Sequence, residues 1–450
     1  MSTASDGLRT LLAALFAGGP PIRIELWDGS TIEPARRADE ADEPPSTLIV
    51  RSPDALRRIL WAPSELGLGR AYVAGDLDVP AGADIVATLE ALSQALGRRA
   101  RSQRFGLRSA KEAAVAAFRI GAVGRPLPPP RQEAHLRGWR HSLRRDASAI
   151  HHHYDTGNDF YRVVLGPSMT YSCARFVDDT VTLDEAQEAK HDLVARKLGL
   201  HARATTPGSE APSPARLLDV GCGWGSMAIH AASRYGVSVV GITISQEQAK
   251  LARERVEAAG VGHLVDIRLQ DYRELGDEQF DAISSIGMSE HVGSAKVDTY
   301  FAALRRALRP HGRLLNHAIT TVGGSKLGRA SFVGRYVFPD GELIDVGDLV
   351  LAMERAGFEV RDVESLREHY ARTLRAWVAN LEDGWDDAVA AADRDGEPGD
   401  GLAKARIWRL YMAASAVGFT DGGIAIHQIL GVVPDDRGGV AMPPTRREWG

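Results

Sequence analysis

The feature that most constrains the fold of this chain is the stretch RLLDVGCGWGS, which occupies residues 216–226. Leu217, Leu218 and Val220 form a short apolar run, a pattern typical of a strand that is buried on both faces. Glycines follow at alternate positions, and residues 227–235 then have the pattern of a helix. Glycine lets the backbone turn sharply and lets a ligand approach it, while the helix N-terminus faces the same place. The stretch therefore predicts a loop that binds an adenine-containing cofactor, with a purely structural glycine turn in an α/β domain as the alternative.

The residues around this loop favour one class of cofactor. Asp219 lies at the end of the predicted strand, and its carboxylate suits S-adenosylmethionine, whose sulfonium and ammonium groups are cationic. A nicotinamide dinucleotide would need an Asp or Glu about 20 residues past the glycines to hold its ribose hydroxyls. The second predicted strand, residues 237–245, contains neither, and Thr243 and Gln248 are the nearest polar residues. The glycine spacing is also GxGxG and not GxGxxG.

Composition bounds the class of protein. A chain of 450 residues allows two or three domains with ample core. The net charge of -5 argues against bulk nucleic-acid binding. Cys173 and Cys222 are the two cysteines; they give neither a disulfide framework nor a zinc pattern and indicate a reducing cytoplasm. No apolar run reaches the length of about 18 residues that a spanning helix needs, and the start, MSTASDGLRT, is not typical of a signal peptide. We therefore expect a cytoplasmic protein that reaches any lipid substrate as a peripheral protein at the inner face of the membrane.

Shifts in composition divide the chain into four parts: a small N-terminal domain (1–97), a basic, proline-containing linker (98–148), a catalytic domain (149–435) and a C-terminal tail (436–450). The N-terminal part has strand-like stretches, IRIELWDG and STLIVRSP, and no catalytic constellation, which predicts a scaffold or dimer contact. The linker contains many arginines and the extended stretch GRPLPPPR. It could dock on anionic phospholipid headgroups, or it could be a solvated linker.

Residues 149–176, AIHHHYDTGNDFYRVVLGPSMTYSCARF, are rich in His, Tyr, Asn and Asp and too irregular for one helix, which favours a lid or substrate-side segment. Three consecutive histidines, His151 to His153, cannot all converge on one ion, and no acidic residue stands at ligand spacing. We therefore predict no metal site. Thr182 and Glu185 have the spacing of a capping box that opens a helix through Leu198.

After the glycine loop, strand-like stretches alternate with helical ones. We predict strands at 237–245, 265–275, 280–293 and 313–320, and helices at 246–260 and 296–312, the second closed by Pro310 and Gly312. This order predicts an α/β fold: a doubly wound, mostly parallel, Rossmann-like sheet with a smaller N-terminal domain. Ligands of such sheets bind outside the carboxyl ends of the strands. The polar residues predicted at these ends are Asp219, Thr243, Asp271, Tyr272, Glu290 and His317. If the chain is strand-like here, adjacent residues point to opposite faces and only one of Glu290 and His291 can face the site; we predict that it is Glu290.

Seven motifs resemble one family in their order along the chain. They are HHYDTGNDFY, MTYSCARF, LLDVGCGWG, VVGITISQEQ, QDYREL, SIGMSEHVG and LLNHAI. Over residues 149 to about 432 the chain resembles the cyclopropane-fatty-acyl-phospholipid synthase family, which includes the mycolic acid cyclopropane synthases. The family that the chain resembles implies that the predicted sheet is of the class I S-adenosylmethionine-dependent methyltransferase type. RYVFPDGEL, LLNHAI and LYMAAS resemble most the actinobacterial branch that makes 10-methylene fatty acids, precursors of tuberculostearic-type chains. The stretch LNHAI differs from the residues that many members of the family have at this place. The product, a 10-methylene chain or a cyclopropane, therefore stays open.

The resemblance implies roles for individual residues. Residues at positions that hold S-adenosylmethionine are Tyr171, Ser172, Gly221, Gly223, Thr243, Ile244, Gln248, Asp271 and Tyr272. Residues at positions that hold a bicarbonate ion near the transferred methyl are Cys173, Glu290, His317, Ile319 (through its backbone) and Tyr370. Cys173 as a nucleophile is the alternative for that residue, but the sequence shows no activating partner.

The resemblance also implies a reaction and partners. The cis double bond of an oleoyl-type phospholipid chain takes the methyl of S-adenosylmethionine, and bicarbonate then removes a proton from the resulting carbocation. A homodimer and a partner reductase for a 10-methylene product are further expectations. The alternatives are a methyltransferase for a soluble small molecule and a non-catalytic lipid-binding module of the same fold.

Overall fold

The computed structural model describes residues 19–34, 46–80, 82–100, 122–134, 157–203, 215–325, 331–395 and 398–449, together with single positions at 6, 8, 9, 12, 115 and 118. The strands are β1 (Arg23–Leu26), β2 (Thr31–Ile32), β3 (Thr47–Val50), β4 (Leu77–Asp78), β5 (Arg216–Val220), β6 (Ser238–Thr243), β7 (Val265–Leu269), β8 (Phe280–Ile286), β9 (Leu308–Thr321), β10 (Ile344–Asp345), β11 (Glu359–Ser365) and β12 (Ile424–Val432).

The helices, in chain order, are α1 (Pro53–Trp61), α2 (Glu65–Val73), α3 (Ile85–Ala100), α4 (Asn158–Leu165), α5 (Leu183–Lys197), α6 (Leu200–Arg203), α7 (Ser226–Tyr235), α8 (Gln246–Ala258), α9 (Ser289–Val292), α10 (Val297–Arg306), α11 (Phe332–Tyr336), α12 (Val346–Arg355), α13 (Arg367–Asp383), α14 (Trp385–Asp395) and α15 (Gly401–Thr420). Short 3₁₀ turns lie at Tyr272–Glu274 and Arg446–Glu448. No helix among these described residues is long and apolar enough to cross a membrane.

The chain folds as two compact units. Unit 1 consists of Met1–His135, Gly328–Val337 and Val389–Val417, so two late segments fold with the N-terminal part. Its sheet has the order β2-β1-β3-β4, which confirms the strands expected in IRIELWDG and STLIVRSP. The late segments are bound by buried polar contacts: the guanidinium of Arg406, for example, donates to the carbonyl oxygens of Tyr72 at 2.7 Å and Leu77 at 2.6 Å. The four predicted domain boundaries stay a prediction, and most of the basic linker lies outside the described residues.

Unit 2 consists of Leu136–Leu327, Phe338–Ala388 and Gly418–Gly450. Its eight-stranded sheet has the order β11-β12-β9-β8-β5-β6-β7, with β10 paired to β9. The pairs among β5 to β9 are parallel, and β12 runs antiparallel to both β9 and β11. The predicted mostly parallel α/β sheet is therefore confirmed.

Residues of the central strand supply both faces of the sheet. Leu217 packs in one hydrophobic cluster with helices α7 and α8, while Leu218 and Val220 pack in the other with α10 and α12. All three are at most 1% exposed, as expected of a strand covered on both faces. The predicted capping box is also present, because the Thr182 hydroxyl accepts from the Glu185 N–H and the Glu185 carboxylate accepts from the Thr182 N–H.

Three local predictions were wrong. Helix α10 ends at Arg306, and Pro310 and Gly312 lie inside β9, because Leu308 pairs at once with the buried Phe280. The third strand ends at Leu269, before Asp271 and Tyr272 enter a 3₁₀ turn. The fourth strand ends at Ile286, and Glu290 lies in the short helix α9, so alternation along a strand does not choose between Glu290 and His291.

Candidate functional site

The carboxyl edge of the unit 2 sheet gathers the predicted site residues. Asp219 on β5 lies level with Gly241 of β6 and Ser284 of β8. Thr243 is the last residue of β6, and His317 on β9 pairs with Ile286, the last residue of β8. Asp219 and Thr243 thus lie at the ends of their strands, as predicted, whereas His317 lies inside the longer strand β9, level with the end of β8.

The glycine loop is locked in place by its backbone. The N–H groups of Gly221 and Cys222 both donate to the carbonyl oxygen of Ile242, at 2.9 and 3.0 Å. Gly221 has a φ of +73°, and a side chain there would also collide with the side chain of Met288. Gly223 has a φ of +54° and open space beside its Cα. Glycine is required at the first position, and the second leaves room for a ligand against the backbone.

Asp219 is a buried carboxylate with one oxygen satisfied. Its Oδ1 accepts a hydrogen bond of 2.7 Å from the Ser284 hydroxyl, and its Oδ2 is buried without a partner among the described residues. Burial raises the pKa of Asp219 to about 6, against the opposing effects of the Ser284 hydrogen bond and of Lys190. An unsatisfied buried carboxylate oxygen is costly, so a cationic ligand here would be strongly favoured.

The segment that carries Tyr171, Ser172 and Cys173 is held against helix α5. The side-chain amide of Gln187 donates to the carbonyl oxygen of Ser172 at 2.8 Å, and the ammonium of Lys190 donates to the Ser172 hydroxyl at 2.9 Å. The Ser226 hydroxyl, directly after the glycine loop, donates to the carbonyl oxygen of Ser168 at 2.7 Å, so the segment lies next to that loop.

Cys173 is a neutral thiol. It is fully buried, and burial raises its pKa far above the usual range. Its Sγ lies 3.2 Å from the carbonyl oxygen of Ala174 and 3.7 Å from that of Leu366. These surroundings disfavour a thiolate and hence the nucleophile alternative.

The ends of β6 and β7 carry the other predicted donor-binding residues. The Thr243 hydroxyl donates to Gln248 Oε1 at 2.8 Å, and Ile244, next to it, is half-buried. Burial raises the pKa of Asp271, but hydrogen bonds of 2.7 Å from Arg273 to each of its oxygens bring the pKa below the usual value. Tyr272 packs edge-on against Tyr300, with ring centroids 4.8 Å apart.

Glu290, His317 and Ile319 come together at the junction of β8 and β9. The Ile319 N–H donates to Glu290 Oε1 at 2.8 Å, and Glu290 Oε2 is buried without a partner among the described residues. Burial raises the pKa of Glu290 to about 7, partly offset by the Ile319 N–H. The Ile319 backbone amide, expected to contact an anion, is therefore bonded to Glu290.

Gln428 determines which nitrogen of His317 carries the proton. It lies directly opposite His317 on β12, fully buried, with its amide Nε2 3.2 Å from Nδ1 of the imidazole. With the amide nitrogen of Gln428 facing the ring, Nδ1 accepts and the proton sits on Nε2; this Nε2 and Gln428 Oε1 are both buried with no partner in the described part of the chain. Burial, with the nearby Lys190 and Lys197, holds the pKa of His317 well below its usual range. His317 thus offers a neutral N–H donor.

Tyr370 lies on α13, the helix that also contacts the Cys173 segment. The Ala174 N–H donates to the Thr373 hydroxyl at 3.0 Å, one turn from Tyr370. Aromatic rings continue from Tyr370 through Trp377, at 6.0 Å, to Tyr171, at a further 5.3 Å. Lys190 influences the pKa of both Cys173 and His317, so these two side chains lie within the electrostatic reach of one buried lysine.

No group of three His, Cys, Asp or Glu side chains that could hold a metal ion occurs within the residues that the structure describes. His151 to His153 lie outside those residues, so the prediction of no metal site stays a prediction.

Sequence reasoning missed Lys190, Ser284 and Gln428. Lys190 carried a signal, since it shares the buried face of α5 with Gln187 and Val194 at helical spacing, where a lysine is unusual. Ser284 and Gln428 gave none, because their importance depends on which residue of a neighbouring strand lies opposite.

Comparison with known proteins settles the family. The family model described as mycolic acid cyclopropane synthetase matches residues 141–429. The chain belongs to this family. It is 40% identical over 464 aligned positions, 100% of this chain and 99% of the relative, to a probable fatty acid methyltransferase of Mycobacterium tuberculosis. It is 40% identical to the Escherichia coli cyclopropane-fatty-acyl-phospholipid synthase over 62% of this chain and 66% of that protein. It is 30% identical to a tuberculostearic acid methyltransferase of Mycobacterium tuberculosis over 95% and 91%.

A solved structure agrees with the family assignment. The mycolic acid cyclopropane synthase CmaA1, complexed with SAH and CTAB, is 32% identical, with a TM-score of 0.56 over 64% of this chain and 98% of that one. The predicted family and methyltransferase fold are confirmed, and the chain is an enzyme of the methyltransferase class.

Proposed function

We propose that this enzyme transfers the methyl group of S-adenosylmethionine to the cis double bond of an unsaturated, oleoyl-type acyl chain in a membrane phospholipid. The product we propose is a 10-methylene acyl chain, with a cyclopropane as the alternative. The observation that carries the proposal is the set of buried, unsatisfied polar atoms at the edge of the sheet: Asp219 Oδ2, Glu290 Oε2 and His317 Nε2. Each lacks a partner among the described residues. Asp219 Oδ2 suits a cationic group of the methyl donor, and Glu290 Oε2 and His317 Nε2 suit a bicarbonate ion.

The glycine loop and its neighbours suit the methyl donor. Gly221 and Gly223 leave the backbone open to a ligand, and the unsatisfied oxygen of Asp219 suits a cationic sulfonium or ammonium group. Thr243 and Gln248 are bonded to each other at the end of β6, where a ribose would lie in a sheet of this type. The CmaA1 relative is complexed with SAH, the product of such a transfer.

Glu290 and His317 suit a bicarbonate ion. The Nε2–H of His317 can donate to one of its oxygens, and Glu290 Oε2 can accept from its hydroxyl. When bound, bicarbonate would supply a base close to the transferred methyl. Glu290 is held by the Ile319 N–H, and Gln428 fixes the imidazole, so both residues are oriented before an anion arrives. Cys173 and Tyr370 complete the proposed set.

The chemistry requires a site without water. The alkene attacks the methyl carbon, the carbon–sulfur bond breaks, and a cation forms on the acyl chain. Water or a side-chain nucleophile would capture this cation, so buried, weakly nucleophilic groups are needed. The neutral Cys173 thiol and the rings of Tyr171, Tyr370 and Trp377 meet this requirement. Loss of a proton from the bridging methyl closes a cyclopropane, whereas a hydride shift before proton loss leaves a methylene.

The similarity to relatives supports the 10-methylene product. The match to the tuberculostearic acid methyltransferase extends over 95% of this chain at 30% identity, whereas the Escherichia coli cyclopropane synthase is 40% identical but matches over 62%. We also propose that the protein works at the cytoplasmic face of the membrane as a peripheral enzyme. A homodimer and a partner reductase for the methylene product stay predictions.

Expression in a bacterial host rich in oleoyl lipids tests this function. We expect fatty acid methyl esters from these cells to gain one CH₂, and fragmentation or NMR to place it as an exocyclic methylene. A ring at the same carbons would support the cyclopropane alternative. Unchanged lipids, with methyl transfer by the purified enzyme to soluble acceptors only, would overturn the proposal.

A further inference from the structure

A second buried charge, opposite in sign to Asp219, lies beside the proposed donor site. Lys190 on α5 is 0% exposed. Its ammonium has three N–H donors, and its contact in the described part of the chain is the Ser172 hydroxyl at 2.9 Å. It forms no ion pair with a described carboxylate. A charged group in the protein interior with one neutral partner is unfavourable unless something anionic completes its surroundings.

Asp219 and Lys190 are near each other but not paired. Lys190 lowers the pKa of Asp219, and Asp219 raises that of Lys190, so each lies in the electric field of the other. Burial nevertheless dominates both groups: it lowers the pKa of Lys190 to about 7 and raises that of Asp219 to about 6. Two opposite, unpaired charges thus lie together at the end of β5. This arrangement complements a ligand that carries both an anionic and a cationic group.

We propose that Lys190, together with the Ser172 hydroxyl, binds the carboxylate of the amino-acid end of the methyl donor, next to the ammonium group that suits Asp219. This assignment rests on the proposed function, since it takes the ligand to be S-adenosylmethionine. The Ser172 hydroxyl accepts from Lys190, so its own proton is left to donate to the carboxylate. Gln187 holds the Ser172 backbone in place, which keeps this donor pair ordered before the ligand binds.

A different buried lysine on the same helix shows what a purely structural role looks like. Lys197, 1% exposed, contacts the carboxylates of Asp362 and Glu364, at 2.9 and 2.5 Å. Cys173 does not need the charge of Lys190 either, because its thiol is neutral. The anionic acceptor that Lys190 lacks among the described residues is therefore assigned to the ligand.

Calorimetric titration of the full-length protein tests the assignment with two ligands, S-adenosylhomocysteine and its analogue with the carboxylate replaced by hydrogen. We expect the wild type to bind the parent compound about 10- to 100-fold more tightly, the range for hydrogen bonds to a charged group. In Lys190→Met this ratio should fall towards one, through weaker binding of the parent alone. Lys190→Arg should restore part of it. Lys250→Met, which removes an exposed lysine from α8, should match the wild type.

Equal affinity of the wild type for the two ligands would overturn the assignment and leave the proposed function standing. So would equal weakening of both ligands in Lys190→Met, the result expected of a structural lysine. Failure of the wild type to bind S-adenosylhomocysteine at all would instead overturn the proposed function. If Lys190→Met does not fold, as judged by circular dichroism, the wild-type ratio and Ser172→Ala provide the test, and the serine variant should lose affinity for the parent compound only.

Discussion

Unit 2 contains two sets of charged side chains, each built around a buried lysine, that differ in how completely they are paired. The first, which we call the closed cluster, consists of Lys197, Asp362, Glu364 and Arg446. Lys197 is shared between the two carboxylates, and Arg446 forms a further ion pair with Asp362. The second, the open set, consists of Asp219, Lys190, Glu290 and His317. Asp219, Glu290 and His317 each keep a buried polar atom without a partner among the described residues, and Lys190 forms no described ion pair.

The difference separates charges that support the fold from charges that await a ligand. Desolvation is costly for every buried ion, and within the closed cluster the protein itself supplies the opposite charge. In the open set the pKa values move towards the neutral forms, upward for Asp219 and Glu290 and downward for Lys190 and His317, because burial is not compensated. Removing a member of the first set should therefore affect stability, and removing a member of the second should affect function.

The largest effect on function is expected from Glu290→Gln. The amide oxygen can still accept from the Ile319 N–H, so the fold is retained, but the amide cannot take the hydroxyl proton of an anion as a carboxylate can. We expect kcat to fall by about 10²- to 10⁴-fold, the usual contribution of acid–base assistance. The measurement is the turnover of oleoyl phospholipid vesicles by purified protein. A variant that keeps full turnover would remove the support for a base at this position.

The largest effect on stability is expected from Lys197→Met in the closed cluster. The change leaves the buried Asp362 with Arg446 as its remaining cation and the half-exposed Glu364 without its ion pair to Lys197. Breaking a buried ion pair in this way costs about 3–5 kcal/mol of unfolding free energy. Urea denaturation followed by circular dichroism measures it, with Lys250→Met as the exposed control. Affinity for S-adenosylhomocysteine per folded molecule should not change; a selective loss of that affinity would erase the distinction between the two sets.

The pH dependence of stability sharpens the comparison further. The pKa of Glu290 is raised to about 7 in the folded protein, so in this window the folded state binds more protons than the unfolded one. Its contribution to stability is therefore lost as pH rises from about 5 to 8, at roughly 1.4 kcal/mol per unit of pKa shift. In Glu290→Gln this dependence should be absent. Parallel pH profiles of unfolding free energy for variant and wild type would contradict the unpaired state of this carboxylate.

A smaller effect is expected from Gln428→Leu. Without the amide, Nδ1 of His317 loses its donor, and the imidazole is no longer held with the proton on Nε2. We expect about a tenfold loss in kcat, which corresponds to roughly 1.4 kcal/mol. Nitrogen-15 NMR of the histidine ring should show a change in tautomer that a packing defect alone would not produce. Gln428→Glu, whose carboxylate accepts from Nδ1–H, should favour the opposite tautomer and should not restore activity.

The parts of the fold and of the candidate site that could be predicted from the sequence are those that depend on interactions between residues close together in the chain. The glycine loop, its flanking strand and the Thr182 capping box were predicted correctly because spacing along the chain defines them. The end of α10 was missed because the pairing of Leu308 with Phe280 overrides the turn signals of Pro310 and Gly312. The geometry around Glu290 and His317 required the register of β9 with β8 and β12, which no short pattern contains. The inclusion of late segments in unit 1 had no local signal either.

The inclusion of late segments in unit 1 affects how the protein folds while it is being synthesised. Unit 1 needs Val389–Val417 as well as its N-terminal residues, and Arg406 contributes hydrogen bonds to Tyr72 and Leu77. Because a chain emerges from the ribosome N-terminus first, the earliest part to appear cannot complete its packing until nearly all of the protein has been translated. The first hundred residues should accordingly depend on chaperones or remain protease-sensitive until the ribosome has translated the later segments.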